Sequence, residues 1–160
     1  MPLSYEHRAS TLKALYDKIE SICTRHIGVA DYDCGDVAQF NEDYKYPLVY
    51  LETINFYAEN ERKNGESYSV ALNVLDRQPE AGDRPGAVRT HDKVKQIFSE
   101  IKAYMEKRDQ FGDANVSPAT VAVFNDFDDA KLVRLRADFT LTVDMVVTPT
   151  ADLDQIFPLL

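Results

Sequence analysis

From Val133 to Val147 every odd position is apolar: Val133, Leu135, Ala137, Phe139, Leu141, Val143, Met145 and Val147. The even positions from Arg134 to Asp144 are polar or charged: Arg134, Arg136, Asp138, Thr140, Thr142 and Asp144. A period of two predicts a strand with one buried face. The seventeen residues from Lys131 to Val147 would span roughly 55 Å if fully extended. Strands in small domains usually run ~5–6 residues. Either this strand bends, or its end leaves the domain to meet another subunit. Val133 to Val143 is the core strand of that reading, and Met145 to Leu160 is the part expected to depart.

Two stretches follow helical periodicity instead. Leu12, Leu15, Tyr16, Ile19, Ile22 and Cys23 recur at i, i+3, i+4, i+7 and predict a helix from about Tyr5 to His26, with Gly28 as its C-terminal cap. Val94, Ile97, Phe98, Ile101, Tyr104 and Met105 form a second stripe, from about Thr90 to Arg108, with Thr90 as N-cap and Gly112 beyond its end. Between them, Asp31 to Tyr46 reads as an acidic, aromatic connection. A strand is predicted from about Pro47 to Tyr57, Pro47 suiting a first position because it donates no ladder bond. Asn64-Gly65 marks a hairpin turn into a returning strand, Tyr68 to Asp76. Pro79, Gly82, Pro85 and Gly86 mark a loop. A strand from about Ser117 to Phe124 turns through Asn125 to Ala130 into the long strand.

The order is therefore α-β-β-α-β-β. An α+β fold with two helices on one face of an antiparallel four-stranded sheet buries every apolar stripe at once. Residues 1–147 are expected to form that single α+β domain, and residues 148–160 a C-terminal extension.

Composition narrows the function. With 18 basic and 27 acidic residues the formal charge is −9. Such a chain is a poor nonspecific ligand for DNA or anionic membrane, since phosphate binding rests on Lys and Arg. The apolar runs are too short to span a bilayer. Two cysteines, and an N-terminus lacking the apolar core of a secretory signal, point to reduced thiols.

Candidate chemistry is sparse. Asp31-x-Asp33-x-Gly35-Asp36 with Glu42 has the density of a calcium loop, but an EF-hand needs an oxygen ligand at position five and Gly at six, and here they are exchanged. Asn125-Asp126-Phe127-Asp128-Asp129 suits a hairpin turn. His7, His26 and His91 are scattered, and Cys23 sits on an apolar stripe. No metal or cofactor is expected. One enzyme reading is kept: Glu52 on one strand and Asp76 ending the next can imitate a Mg²⁺-dependent nuclease core.

The segments fall in a telling order. An amphipathic helix opens the chain, and Tyr46-Pro47-Leu48-Val49-Tyr50-Leu51-Glu52 begins a strand. Tyr68-Ser69-Val70-Ala71-Leu72-Asn73-Val74-Leu75-Asp76 follows as its partner. Then come a loop, the helix containing His91-Asp92-Lys93-Val94-Lys95-Gln96-Ile97, and a hairpin ending in Arg136-Ala137-Asp138-Phe139-Thr140-Leu141-Thr142-Val143. In this order, residues 8–147 resemble the tail terminator, or tail-completion, proteins of tailed bacteriophages. The resemblance implies a non-enzymatic structural protein of the virion's head–tail junction, assembled in the host cytoplasm. It implies a homo-oligomeric, hexameric ring joining the tail tube to the neck and head connector, contacting other neck or tail-tube proteins, with DNA passing through without specific binding. An acidic lumen repels phosphate, so Asp31, Asp33, Asp36, Asp126, Asp128 and Asp129 are candidate lumen or rim residues, with a plain solvated surface as the competing role. Arg134, Arg136 and Asp138 on the polar strand face, and Ile156, Phe157, Leu159 and Leu160 in the apolar tail, are candidate subunit contacts. The tail must dock somewhere, on its own domain or on a neighbour. The alternative is a small cytoplasmic α+β binding module, dimeric through a sheet edge.

Overall fold

The computed structural model describes residues 10–36, 43–60, 65–78, 83–127, 132–147 and 150–157, with side chains undescribed at 126, 127 and 150–152. Its elements are α1 (Thr11–Thr24), β1 (Asp31–Gly35), β2 (Leu48–Glu52), β3 (Tyr57–Glu59), β4 (Gly65–Arg77), α2 (Arg84–Met105), a 3₁₀ turn (Asp113–Asn115), β5 (Thr120–Phe127), β6 (Leu132–Asp144) and α3 (Thr150–Ile156).

The long alternating segment is the spine of the molecule. β6 pairs antiparallel with β4 along its whole length, from Gly65 opposite Asp144 to Arg77 opposite Leu132. Thirteen residues in each strand make a ribbon roughly 43 Å long. Val133, Leu135, Ala137, Phe139 and Leu141 are buried on one side, joined by Tyr68, Val70, Leu72 and Val74 of β4 and by Val49 and Leu51 of β2. The helices lie on that side. Leu15, Ile19, Ile22 and Cys23 of α1, and Val94, Ile97, Phe98, Ile101 and Met105 of α2, close the same core. Each fully buried aliphatic or aromatic chain contributes about 1.5–3 kcal/mol.

The expected sheet of four antiparallel strands is not what forms. Among the described residues the sheet is mixed and six-stranded, in the order β1-β2-β4-β6-β5 with β3 also on β4, and three helices accompany it. Two departures account for this. Asp31–Gly35, read as part of a connection, is an edge strand parallel to β2. Of its residues, Tyr32 packs against the core and Cys34 is exposed, so it carries almost no hydrophobic signal. Second, the strand predicted over Pro47–Tyr57 is two strands. β2 pairs with Leu72–Leu75 and β3 with Glu66–Tyr68 of β4. Between them residues 53–56 belong to neither strand, and the Ile54 N–H donates to the Tyr16 hydroxyl of α1 at 2.8 Å.

The helix ends also differ. α1 is capped by Ser10, whose hydroxyl accepts from Lys13 N–H, and by Arg25, short of Gly28. α2 begins six residues earlier than Thr90. Its N-cap is Asp83, which accepts from Gly86 N–H at 3.0 Å, and Pro85 sits in its first turn. A Cβ at Gly86 would lie 2.2 Å from the Asp83 carboxylate, so the cap requires glycine there. Thr90 is inside the helix, buried, its hydroxyl donating to Gly86 C=O at 2.9 Å. Gly112 holds a left-handed φ of 86° before the 3₁₀ turn. No helix among the described residues is long and apolar enough to cross a membrane.

Candidate functional site

The helices leave the opposite sheet face uncovered. Pairing of β2, β4 and β6 brings the polar residues of three distant segments together there. Glu52 Oε2 accepts from Arg136 Nε at 2.6 Å and from Asn73 Nδ2 at 2.9 Å, and its Oε1 accepts from Arg136 Nη2 at 3.3 Å. Arg134 lies against the same carboxylate at 3.7 Å and donates through Nε to Asn73 Oδ1 at 2.7 Å. Arg136 Nη1 reaches on to Asp138 at 2.6 Å. Asn73, buried, also donates to Tyr50 C=O at 3.2 Å.

Burial pushes the Glu52 carboxyl up. Hydrogen bonds from Arg136 and Asn73, and the charges of Arg136 and Arg134, outweigh it and hold the group below the usual carboxylate range. The Arg136 guanidinium is pushed up by its hydrogen bond to Glu52. Burial, with Arg136 alongside, pulls Arg134 down. The network is thus an ionised cluster whose charges are spent on one another. A carboxylate held this way is a weak base. A shallow cleft of about 510 Å³ runs beside it, bordered by Glu52, Phe56, Ser69, Pro118, Asp138 and Thr140. Toward one end the face turns apolar, with Leu48, Tyr50, Leu75 and Leu132 packed under Tyr44 and Tyr46.

The two carboxylates of the nuclease reading are not brought together. Glu52 lies on the uncovered face. Asp76 is on the helix side, near the opposite end of the β2–β4 pairing, in an ion pair with Lys93 of α2 at 2.9 Å. Among the described residues, no group of three or more His, Cys, Asp or Glu side chains is placed to hold a metal ion.

The candidate rim acids divide. Asp31 and Asp33 are on β1, where each carboxylate accepts the next residue's N–H: Tyr32 at 2.9 Å and Cys34 at 2.8 Å. Asp31 also accepts from Lys45 N–H and Asp33 from the Tyr44 hydroxyl. Asp36 accepts from Thr53 Oγ1 at 3.1 Å. Asp126 is in β5, on the other edge of the sheet, and its side chain is undescribed. Asp128 and Asp129 lie outside the described residues. Four strand spacings put the two edges about 19 Å apart, although the pairing carries Asp31 level with Arg134 and Phe124, near the same end of the sheet. Of the candidate contacts on β6, Arg134 is committed to the network with 13% of its side chain exposed, and Asp138 is half exposed. Ile156 is half-buried and Phe157 exposed, while Leu159 and Leu160 lie outside the described residues.

The sheet edges are not equivalent. In β1, Asp31 N–H points to Pro47 of the neighbouring segment, so Tyr32 and Cys34 N–H face outward, and these are the groups the Asp carboxylates take up. Polar self-blocking of this kind blunts an edge. Among the described residues, β5 shows no such bond along its outer edge. Its Val121, Val123 and Phe124 are 44%, 38% and 46% exposed. Val121 and Val123, opposite Ala137 and Leu135, face the helix side. Phe124 faces the other side, over the Arg134 guanidinium at 5.7 Å. This strand was missed as a functional candidate, yet a signal existed: Ala114 to Asn125 contains no charged residue.

No protein-family model matches the chain, and no curated protein matches it.

Proposed function

We propose that the chain is a structural protein that works by assembling with copies of itself, as a tail terminator or neck-ring subunit at the head–tail junction of a tailed bacteriophage. The observation that carries the assembly part is the open apolar flank at β5. A strand exposing large side chains on both faces, beside an unblocked edge, is a surface left incomplete by a single copy. The self-neutralised cluster around Glu52 supports a structural role for the uncovered face. The virion setting rests on the resemblance of residues 8–147. In that setting Asp31, Asp33 and Asp36 would contribute to a negative rim that keeps DNA phosphates moving. A second reading, a binding module that dimerises by continuing its sheet through β5, is favoured by the same edge.

Native mass spectrometry separates the two. The ring reading expects one closed species, a hexamer, and the module reading a dimer. A strictly monomeric chain at high concentration sinks both.

A further inference from the structure

Among the described residues, no helix covers β5. α1 and α2 cover β1, β2, β4 and β6, whereas Val121 and Val123 of β5 look out from the same side uncovered. His91 of α2 is hydrogen-bonded to Asn125 of β5. Residues spaced by three or four share a helix face, so Arg84, Val88, His91 and Lys95 form the row of α2 beside the bare strand. Val88, Arg84 and Lys95 are exposed. The result is an apolar strip with basic flanks.

The same chain carries a short helix that leaves most of its apolar side exposed. α3 places Leu153, Ile156 and Phe157 at i, i+3, i+4, hence on one face, and Leu153 and Phe157 are exposed. Seven residues are too few for an isolated helix to be stable in water. From Thr148 to Leu160 the chain has two acids and no base, the complement of the Arg84–Lys95 row. The register sets the departure of the chain away from this strip: Val121 and Val123 lie opposite Ala137 and Leu135, whereas β6 ends at Asp144. Val146 N–H donates to the Thr11 hydroxyl of α1. That bond turns the chain leaving β6 toward α1, on the far side of α2 from β5.

Resting on the assembly reading above, we infer that α3 of one copy docks on the Val121–Val123 strip of the next, supplying a helix over β5. Leu153 and Phe157 meet the valines, and the acids of the tail meet Arg84 and Lys95. The contact joins two different surfaces, so it is head-to-tail and can close a ring.

Two full-length variants test it, one altering the acceptor (Val123→Lys) and one the donor (Leu153→Asp with Phe157→Asp). All three side chains are exposed, so circular dichroism spectra should match the wild type, and thermal melts should match it at a dilution where the wild type is itself dissociated. By native mass spectrometry each variant alone should fall to monomer. An equimolar mixture should give a one-to-one heterodimer and nothing larger, because one intact donor meets one intact acceptor. A donor variant that assembles like the wild type overturns the inference, and an unchanged hexamer in that experiment leaves the ring reading standing. Loss of assembly in Val123→Lys alone, with dimers persisting in the donor variant, assigns β5 to self-pairing and also overturns it. A monomeric wild type removes the inference together with the assembly reading.

Discussion

Glu52→Gln removes the charge on which the uncovered-face network closes while keeping volume and shape. The wild-type carboxylate takes three hydrogen bonds, two from Arg136 and one from Asn73, with Arg134 alongside. An amide retains one acceptor oxygen and turns its NH₂ toward groups that are themselves donors. Hydrogen bonds to charged groups are worth about 1.5–3 kcal/mol each, and leaving a buried charged partner unpaired costs more. Arg136 is one-third exposed, so water replaces part of what it loses. The expected cost is about 2 kcal/mol at neutral pH. For a chain of this size that lowers Tm by roughly 4–8 °C. Urea unfolding followed by circular dichroism measures it, at fixed protein concentration because assembly contributes to apparent stability. The pH dependence has a definite sign. The Glu52 pKa is depressed in the folded protein, so its stabilisation is complete above the unfolded value of about 4.3. It is lost as pH falls through the folded value. The gap between wild type and Glu52→Gln should therefore narrow under acid. A variant within about 0.5 kcal/mol of wild type at neutral pH, or a gap that stays constant into acid, refutes the reasoning.

Asp83→Ala removes the N-cap of α2 and should destabilise by about 1 kcal/mol, read from the shift in urea midpoint; Asp83→Asn should recover most of it. Cys34 is exposed and Cys23 buried, with burial pushing the Cys23 thiol up to about 12. A thiol reagent at mildly alkaline pH should label Cys34 in the folded protein and Cys23 only after unfolding; labelling of both at equal rates contradicts the core placement of α1. Because Glu52 and Asp76 face opposite sides of the sheet, added Mg²⁺ should support no DNA cleavage in a gel assay; Mg²⁺-dependent cleavage abolished by Asp76→Ala would revive the nuclease reading.

What the sequence made legible follows from how local each signal is. The β4–β6 ribbon was readable because both strands bury one face over many residues, so Tyr68–Val74 and Val133–Leu141 alternate cleanly. Leu132 breaks that alternation for a reason visible only in three dimensions: it belongs to the small cluster with Leu48, Tyr50 and Leu75 on the other face. The stripes of α1 and α2 were readable too. The start of α2 was missed because Pro85 and Gly86 look like loop residues, while here they form a first turn capped by Asp83. β1 was hidden because an edge strand needs little hydrophobicity, and its acids serve the backbone around them. The Glu52–Asn73–Arg134–Arg136 cluster joins three strands separated by up to 84 positions; only the pairing register assembles it. The candidate acids were legible as charge, but not the placement of Asp31 and Asp33 on one edge strand and Asp126 on the other. The β5 flank was recoverable from its charge-free run, which matters because it marks the surface where the chain is expected to meet its neighbour.

The most direct test of that expectation is native mass spectrometry of the full-length wild-type chain across a concentration series. The account predicts a single closed oligomer, a hexamer, that dissociates only on dilution. A chain that stays monomeric at the highest concentration contradicts it.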